Sequence, residues 1–449
     1  MSVNPEFRRN LWLELSPYRL ISMPVVLGAI FYLAYLTDDN RMAGRVSSAL
    51  TSLFFLITMV WGTKLASESI MNEIRDHTWD GQRMSVITAW QLTWGKLFGS
   101  AIYPWYGALI CMLCFGLSAS AHDPGHTLKT MLVLLLSAVL AHAVSLLASL
   151  MAIRKECKFN KSQTAAMLIL GIIVAGPFIN LALGRGMAVT WFAESYSQMD
   201  FLLFSVLAYA FWAVMGVYHM LRLELQMRNK PWAWFGFVLF IMLHGAGFVH
   251  GPPQVGRHAL SAASPGFLAA YGISLAAIYV MAFAERKDFL SLQALVRLVS
   301  GGNWRRFPER APRWLLTLPI ALAAGGAVIV SAGSGNSGMA EVIAFVVVTL
   351  LFMSRDMGIM LFCNLGATTR RADMLFVLYL VLLYGIFPAT LSAMQLNDAT
   401  LAFWPSVEAY PFLGCVIVLL EVCALAFVVV IRWKKRSAEG KGKGNYQRQ

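Results

Sequence analysis

The sequence predicts an all-α polytopic membrane protein of about twelve transmembrane helices, and three observations predict it. Apolar runs close to 20 residues recur along all 449 residues, the length that crosses a hydrocarbon layer of about 30 Å as a helix. Charged residues make up 13% of the chain, roughly half the ~25% usual in soluble domains. The basic residues alternate sides. With the N-terminus inside, all but five of the 36 Lys and Arg fall on cytoplasmic segments and adjoining helix ends, as the positive-inside rule requires. The five are Arg41, Arg45, Lys129, Arg185 and Arg257. The net charge of +13 therefore needs no nucleic acid. Both termini are placed in the cytoplasm, and the protein in the inner (plasma) membrane.

The elements follow in order. Residues 5–18 carry Phe7, Leu11 and Leu15 on one helical face and Arg8, Arg9 and Glu14 elsewhere, which predicts an interfacial helix within a segment 1–19. No small-residue cleavage site follows the first apolar run, so it is not expected to be a removed signal peptide. Spans are expected near residues 28, 58, 105, 140, 173, 211, 241, 274, 323, 348, 384 and 421. They form a six-span region over 20–225 and a second over 226–431. A second interfacial helix is predicted before the ninth span, with Phe289, Leu292, Leu295, Val296 and Val299 at helical spacing and Gly301-Gly302 as its stop. Residues 432–449 read as a basic cytoplasmic tail with a disordered end. The external loops are too short to fold alone, so function is expected in the membrane or on its cytoplasmic side.

Several chemistries are absent. No GxxxxGK[ST] occurs; Gly95-Lys96 is followed by Leu97, so the chain has no phosphate loop and no ATPase of its own. There is no HExxH, no zinc-spaced Cys/His cluster and no nucleophile elbow. The Cys111-x-x-Cys114 pair lies inside an apolar run and reads as helix packing. His142, His219 and His244 read as structural. Glu421 lies deepest among the acids. Insertion of a charge at a helix centre costs about 2.5–3.5 kcal/mol, so Glu421 either faces a transport pathway or pairs with a neighbouring helix.

The most polar stretch between two spans is residues 72–96, NEIRDHTWDGQRMSVITAWQLTWGK. The helix ending near Arg75 is followed by an elbow over 72–90, and Thr88-Ala-Trp-Gln91 is a capping box that opens the next helix near Ala89. A short elbow between two long helices acts as a lever, because helices pass displacement on as rigid units. A second elbow is read over 356–373, since Arg355-Asp356 precedes Thr368 at the spacing by which Arg75-Asp76 precedes Thr88. Its candidate contacts are Asp356, Thr368, Arg370 and Arg371, and it suggests an internal repeat.

The first elbow resembles that of the ABC-2 type permeases, membrane subunits of ATP-binding cassette exporters. Glu73 matches an acid near the end of their second span, Thr78 and Asp80 match a turn, and Gly95-Lys96 open the third span. His77 stands where that family usually has glycine, and Ser85 near its expected proline. The order of interfacial helix, two spans, elbow and four spans covers residues 1 to about 225. The resemblance implies that the elbow docks on a separate cytoplasmic ATPase, present in two copies. Glu73, Asp76, Thr78, Trp79, Asp80 and Arg83 would be the contacts, with Trp79 foremost. ATP and magnesium would then be bound by that partner and no cofactor by this chain, while the pathway would be completed by this chain alone or by self-pairing. The alternative reading is an ion- or proton-coupled secondary transporter or a channel.

Overall fold

The structure, a computed structural model, describes residues 4–37, 45–119, 123–155, 161–184, 186, 188–249, 260, 262–285, 287, 289–333, 338–366, 372–405 and 411–446. Among them, ten helices are long and apolar enough to cross a membrane. Ala89–Gly99 and Ile102–Ser118, which meet at 59°, are apolar enough only when taken together, as a broken span or a re-entrant loop. The molecule is a helical, multi-pass membrane protein. The chain divides into two compact units, Met1–Thr190 with Glu194–Asn229, and Trp191–Ala193 with Lys230–Gln449.

In the first unit α1 (Pro5–Glu14) is capped by Asn4, whose side chain accepts from the Glu6 N–H, and α2 (Pro17–Leu36) by Ser16. Each such cap contributes about 1 kcal/mol by satisfying an orphan N–H. Next come α3 (Ser47–Arg75), the short α4 (Trp79–Arg83), α5 (Ala89–Gly99) and α6 (Ile102–Ser118), followed by α7 (Pro124–Arg154), α8 (Ser162–Leu183) and α9 (Gln198–Glu224). The central member is α7. Small and polar residues let α3 and α8 approach it closely: a Cβ on Gly62 would lie 2.7 Å from the His142 ring, and one on Gly171 2.7 Å from the Ala141 carbonyl. His142 Nε2–H donates to the Thr58 carbonyl at 2.9 Å and Ser149 Oγ to the Ser67 carbonyl at 2.7 Å. Small residues and interhelical hydrogen bonds drive such packing where lipid removes the hydrophobic incentive. His142 is structural.

The second unit contains α10 (Trp232–Ala246), α11 (Pro265–Ala284), α12 (Phe289–Ser300), α13 (Phe307–Arg310), α14 (Arg313–Ser331), α15 (Met339–Asn364), α16 (Ala372–Ala393) and α17 (Pro411–Tyr446). Buried Tyr271 ties α11 to α15 through the Val346 carbonyl at 3.1 Å and Thr349 Oγ1 at 2.7 Å. α12 stops at Gly302, which has φ +70°, with the Asn303 N–H reaching back to the Leu298 carbonyl at 3.1 Å. That is the left-handed helix stop for which glycine is best suited.

One expectation needs correction. The span expected near 241 is α10, only 15 residues and therefore about 22 Å long, short of a ~30 Å core. Trp191 packs against its end: a Cβ on Gly247 would meet the indole, whose N–H donates to the His244 carbonyl at 3.1 Å. α17 continues as helix through the start of the basic tail to Tyr446, and the end of the tail, 447–449, lies outside the described residues. Arg436 fastens that extension, donating to the Asn364 and Gly366 carbonyls at 3.0 and 2.9 Å, where orphan carbonyls at the end of α15 favour a cation.

Candidate functional site

The elbow is shaped by how α3 ends. The Thr78 N–H reaches the Glu73 carbonyl at 2.9 Å and the His77 N–H the Ile74 carbonyl at 3.3 Å. This double bond places His77 in the left-handed region at φ +58°. That conformation costs a side-chain-bearing residue about 1–2 kcal/mol, which explains why glycine suits this position. His77→Gly is expected to stabilise the first unit by up to about 1 kcal/mol, after the entropy that glycine adds to the unfolded chain. Thermal unfolding of the purified variant checks it. A lower melting temperature would refute the strain. The far side of the elbow is fixed by the expected capping box: Thr88 Oγ1 accepts from the Gln91 N–H at 3.3 Å, and Gln91 Oε1 from the Thr88 N–H at 3.0 Å.

Behind the elbow four charges alternate in sign. Glu73 Oε1 accepts from Arg9 Nη2 at 2.6 Å, from Gln82 Nε2 at 2.6 Å and from Lys96 Nζ. Glu6 Oε1 faces the same two cations, Arg9 at 3.0 Å and Lys96 at 2.9 Å. Glu6, Glu73 and Lys96 are all buried. Two anions and two cations form a neutral cluster, which allows such groups to leave water. The node joins α1, the end of α3, the elbow and the last turn of α5. Glycines make room for it. A Cβ on Gly95 would lie 2.5 Å from Glu6 Cγ, and one on Gly99 2.8 Å from Asn10 Nδ2, so α1 lies directly on the Gly95–Gly99 face. Asn4 Nδ2 adds a bond to the Gln91 carbonyl at 2.6 Å.

The expected contact residues separate into two groups. Asp76, Thr78 and Asp80 are exposed, and Arg83 is partly so, 3.6 Å from Asp80. Glu73 and Trp79 are inside. Glu73 serves the node, and Trp79, 6% exposed, belongs to the apolar cluster that includes Ile70, Leu92 and Leu150. Trp79 is thus corrected from surface anchor to core residue, because the reversal at 76–78 turns its indole back beneath the elbow. The exposed apolar tip consists instead of Met84, 83% exposed, and Val86, 100% exposed, which the sequence reading passed over. Two apolar residues among polar ones were the available signal.

The second elbow is also corrected where it can be. Asp356 lies inside α15, fully buried beside Arg355, while Thr368, Arg370 and Arg371 lie outside the described residues. Asp356 belongs to a polar cluster within the spans. Its Oδ2 accepts from the Tyr279 and Tyr384 hydroxyls, each at 2.7 Å, and its Oδ1 faces Arg355 Nε at 3.3 Å. Arg355 Nη1 donates to Glu421 Oε2 at 2.9 Å and to the Ala402 carbonyl at 3.0 Å. Its guanidinium also lies over the rings of Phe352 and Tyr384 at 4.6 and 5.4 Å, where a desolvated cation gains about 2 kcal/mol. Glu421 therefore pairs with a neighbouring helix, and its side chain keeps 34% of its exposure. Among the described residues no group of His, Cys, Asp or Glu converges to hold a metal ion. Comparison of the chain with protein-family models, with curated proteins and with solved structures finds no match.

Proposed function

We propose that this chain is the membrane subunit of an ABC-2 type exporter in the inner membrane, with both termini and the 72–90 elbow on the cytoplasmic side. A separate ATPase, in two copies, would bind ATP and magnesium and press on that elbow. The observation that carries the reading is the Glu73 node. It clamps the interfacial helix, the end of one span and the start of the next into a single body, so a push on the elbow is transmitted without being absorbed locally. Met84 and Val86 supply apolar area at the tip, and burying such side chains contributes about 1.5–3 kcal/mol each. Asp76, Asp80 and Arg83 supply a polar rim.

A photo-crosslinker at Val86 tests this. The expected product is a nucleotide-binding protein with a GxxxxGK[ST] sequence, and Met84→Asp with Val86→Asp should weaken its association at least tenfold. Crosslinking only to lipid or solvent, with ATP-dependent transport intact in the double variant, would refute the docking. A second reading, an ion- or proton-coupled transporter, is favoured by the Arg355–Asp356–Glu421 cluster, since intramembrane charges mark ion pathways. Transport that persists with ATP after the proton gradient is collapsed would exclude proton coupling.

A further inference from the structure

In the second unit the ends of several helices gather around α12 and α13. Phe289, at the start of α12, packs against Trp433 with ring centroids 4.9 Å apart, and Arg436 lies over the Phe289 ring at 5.0 Å. Further along, Leu295 is buried in an apolar cluster with Leu316 and Phe235, from the first turns of α14 and α10. α14 has 19 residues and is therefore about 28 Å long, just enough for a hydrocarbon core of ~30 Å. Its first turn marks the edge of that core, and α12, held beside it, lies at the depth of the lipid headgroups.

At that depth the surface is basic and apolar together. Residues 289–310 carry four arginines, Arg297, Arg305, Arg306 and Arg310, against a single acid, Glu309. All four arginines are exposed, and no described acid pairs with any of them. Neighbouring cations are already engaged: Lys287 by Asp373 at 2.6 Å, Arg432 by the Phe362 ring at 4.1 Å, and Arg436 by the Asn364 and Gly366 carbonyls. Next to the unpaired arginines in the chain stand Val296, 54% exposed, and Trp304, 62% exposed. Tryptophan favours the membrane interface, and clustered cations on a helix at that level attract acidic lipid.

We propose that α12 and α13 form a binding site for acidic phospholipid of the adjoining leaflet, in preference to zwitterionic lipid. The phosphate heads meet Arg297, Arg305 and Arg306, and the acyl chains lie against Val296 and Trp304. A free anion would use the arginines alone and leave the apolar side chains in water. The site does not rest on the exporter reading, since the elbow belongs to the other unit.

The test uses the full-length protein in nanodiscs of equal phosphatidylglycerol and phosphatidylcholine. A photo-crosslinking residue replaces Val296, and lipid adducts are read by mass spectrometry. Leu322, 52% exposed near the middle of α14, carries the same residue in a control protein. The ratio of phosphatidylglycerol to phosphatidylcholine adducts is expected to be at least tenfold higher at Val296 than at Leu322. Arg297→Gln, Arg305→Gln and Arg306→Gln together should bring the two positions to the same ratio. These side chains are exposed and have no acidic partner, so the variant should fold like the parent. Excess inorganic phosphate, compared with sodium chloride at equal ionic strength, should leave the preference in place. The site is refuted if Val296 in the parent protein gives the ratio seen at Leu322 or yields no lipid adduct. It is equally refuted if the triple variant keeps the preference, or if phosphate erases it, which would mark a free-anion site.

Discussion

Lys96→Met is expected to destabilise the first unit by about 3–5 kcal/mol, the usual result of removing one partner from a buried ion pair. Methionine keeps the length of the side chain and removes only the charge. Glu6 and Glu73, both buried, would then face each other with Arg9 as their one remaining cation. Arg9 cannot compensate fully, because it is 44% exposed and its charge is partly spent on water. Thermal unfolding followed by tryptophan fluorescence should show the loss. Adding Glu6→Gln to Lys96→Met should recover a large part of it, since one anion and one cation are then removed together. A Lys96→Met protein that melts like the parent would mean that the four charges are not coupled. Loss of the node should also free α1, visible as new protease cleavage within residues 5–14.

Arg355→Met is expected to cost a similar amount, about 3–5 kcal/mol, in the second unit. It strands Asp356 and Glu421 without a cation and removes the bond that holds the Ala402 carbonyl, 3.0 Å away. Glu421→Gln should behave differently. It leaves Arg355 and Asp356 as a balanced pair and weakens one hydrogen bond, so about 1 kcal/mol or less is expected. The contrast between these two variants, read in the same unfolding experiment, measures how much each side chain contributes to the cluster. Equal losses from both would show that Glu421 is as essential to the cluster as Arg355.

Local signals in the sequence were read where the structure is local. The Thr88–Gln91 capping box and the Gly301-Gly302 helix stop lie where four-residue chemistry placed them. The helical, multi-pass character followed from apolar run length alone. What pattern could not supply was partnership over distance. Asp356 resembled Asp76 because both follow an arginine, yet one is exposed at a turn and the other is buried inside a long helix. Only Glu421, Tyr279 and Tyr384, each many residues away, explain the difference. Trp79 failed for a related reason: an indole in a polar loop anchors a partner or the protein's own core depending on a reversal three residues earlier. The Glu73 node was half visible. Glu73 and Lys96 stand out in the sequence, but Arg9 reads there only as the polar side of a surface helix, and Glu6 gives no signal at all.

The 59° meeting of α5 and α6 has a mechanical consequence. Lys96 lies on the near side of that joint, and residues 100–101 carry the chain from α5 into α6. Torque applied at Met84 and Val86 would pivot there, on an arm of about 15 Å set by the ten residue steps of α5. A swing of roughly 10° on such an arm moves its end by about 3 Å, comparable to the shift between packed states of neighbouring helices. Small rotations at this joint are therefore enough to repack the spans beyond it.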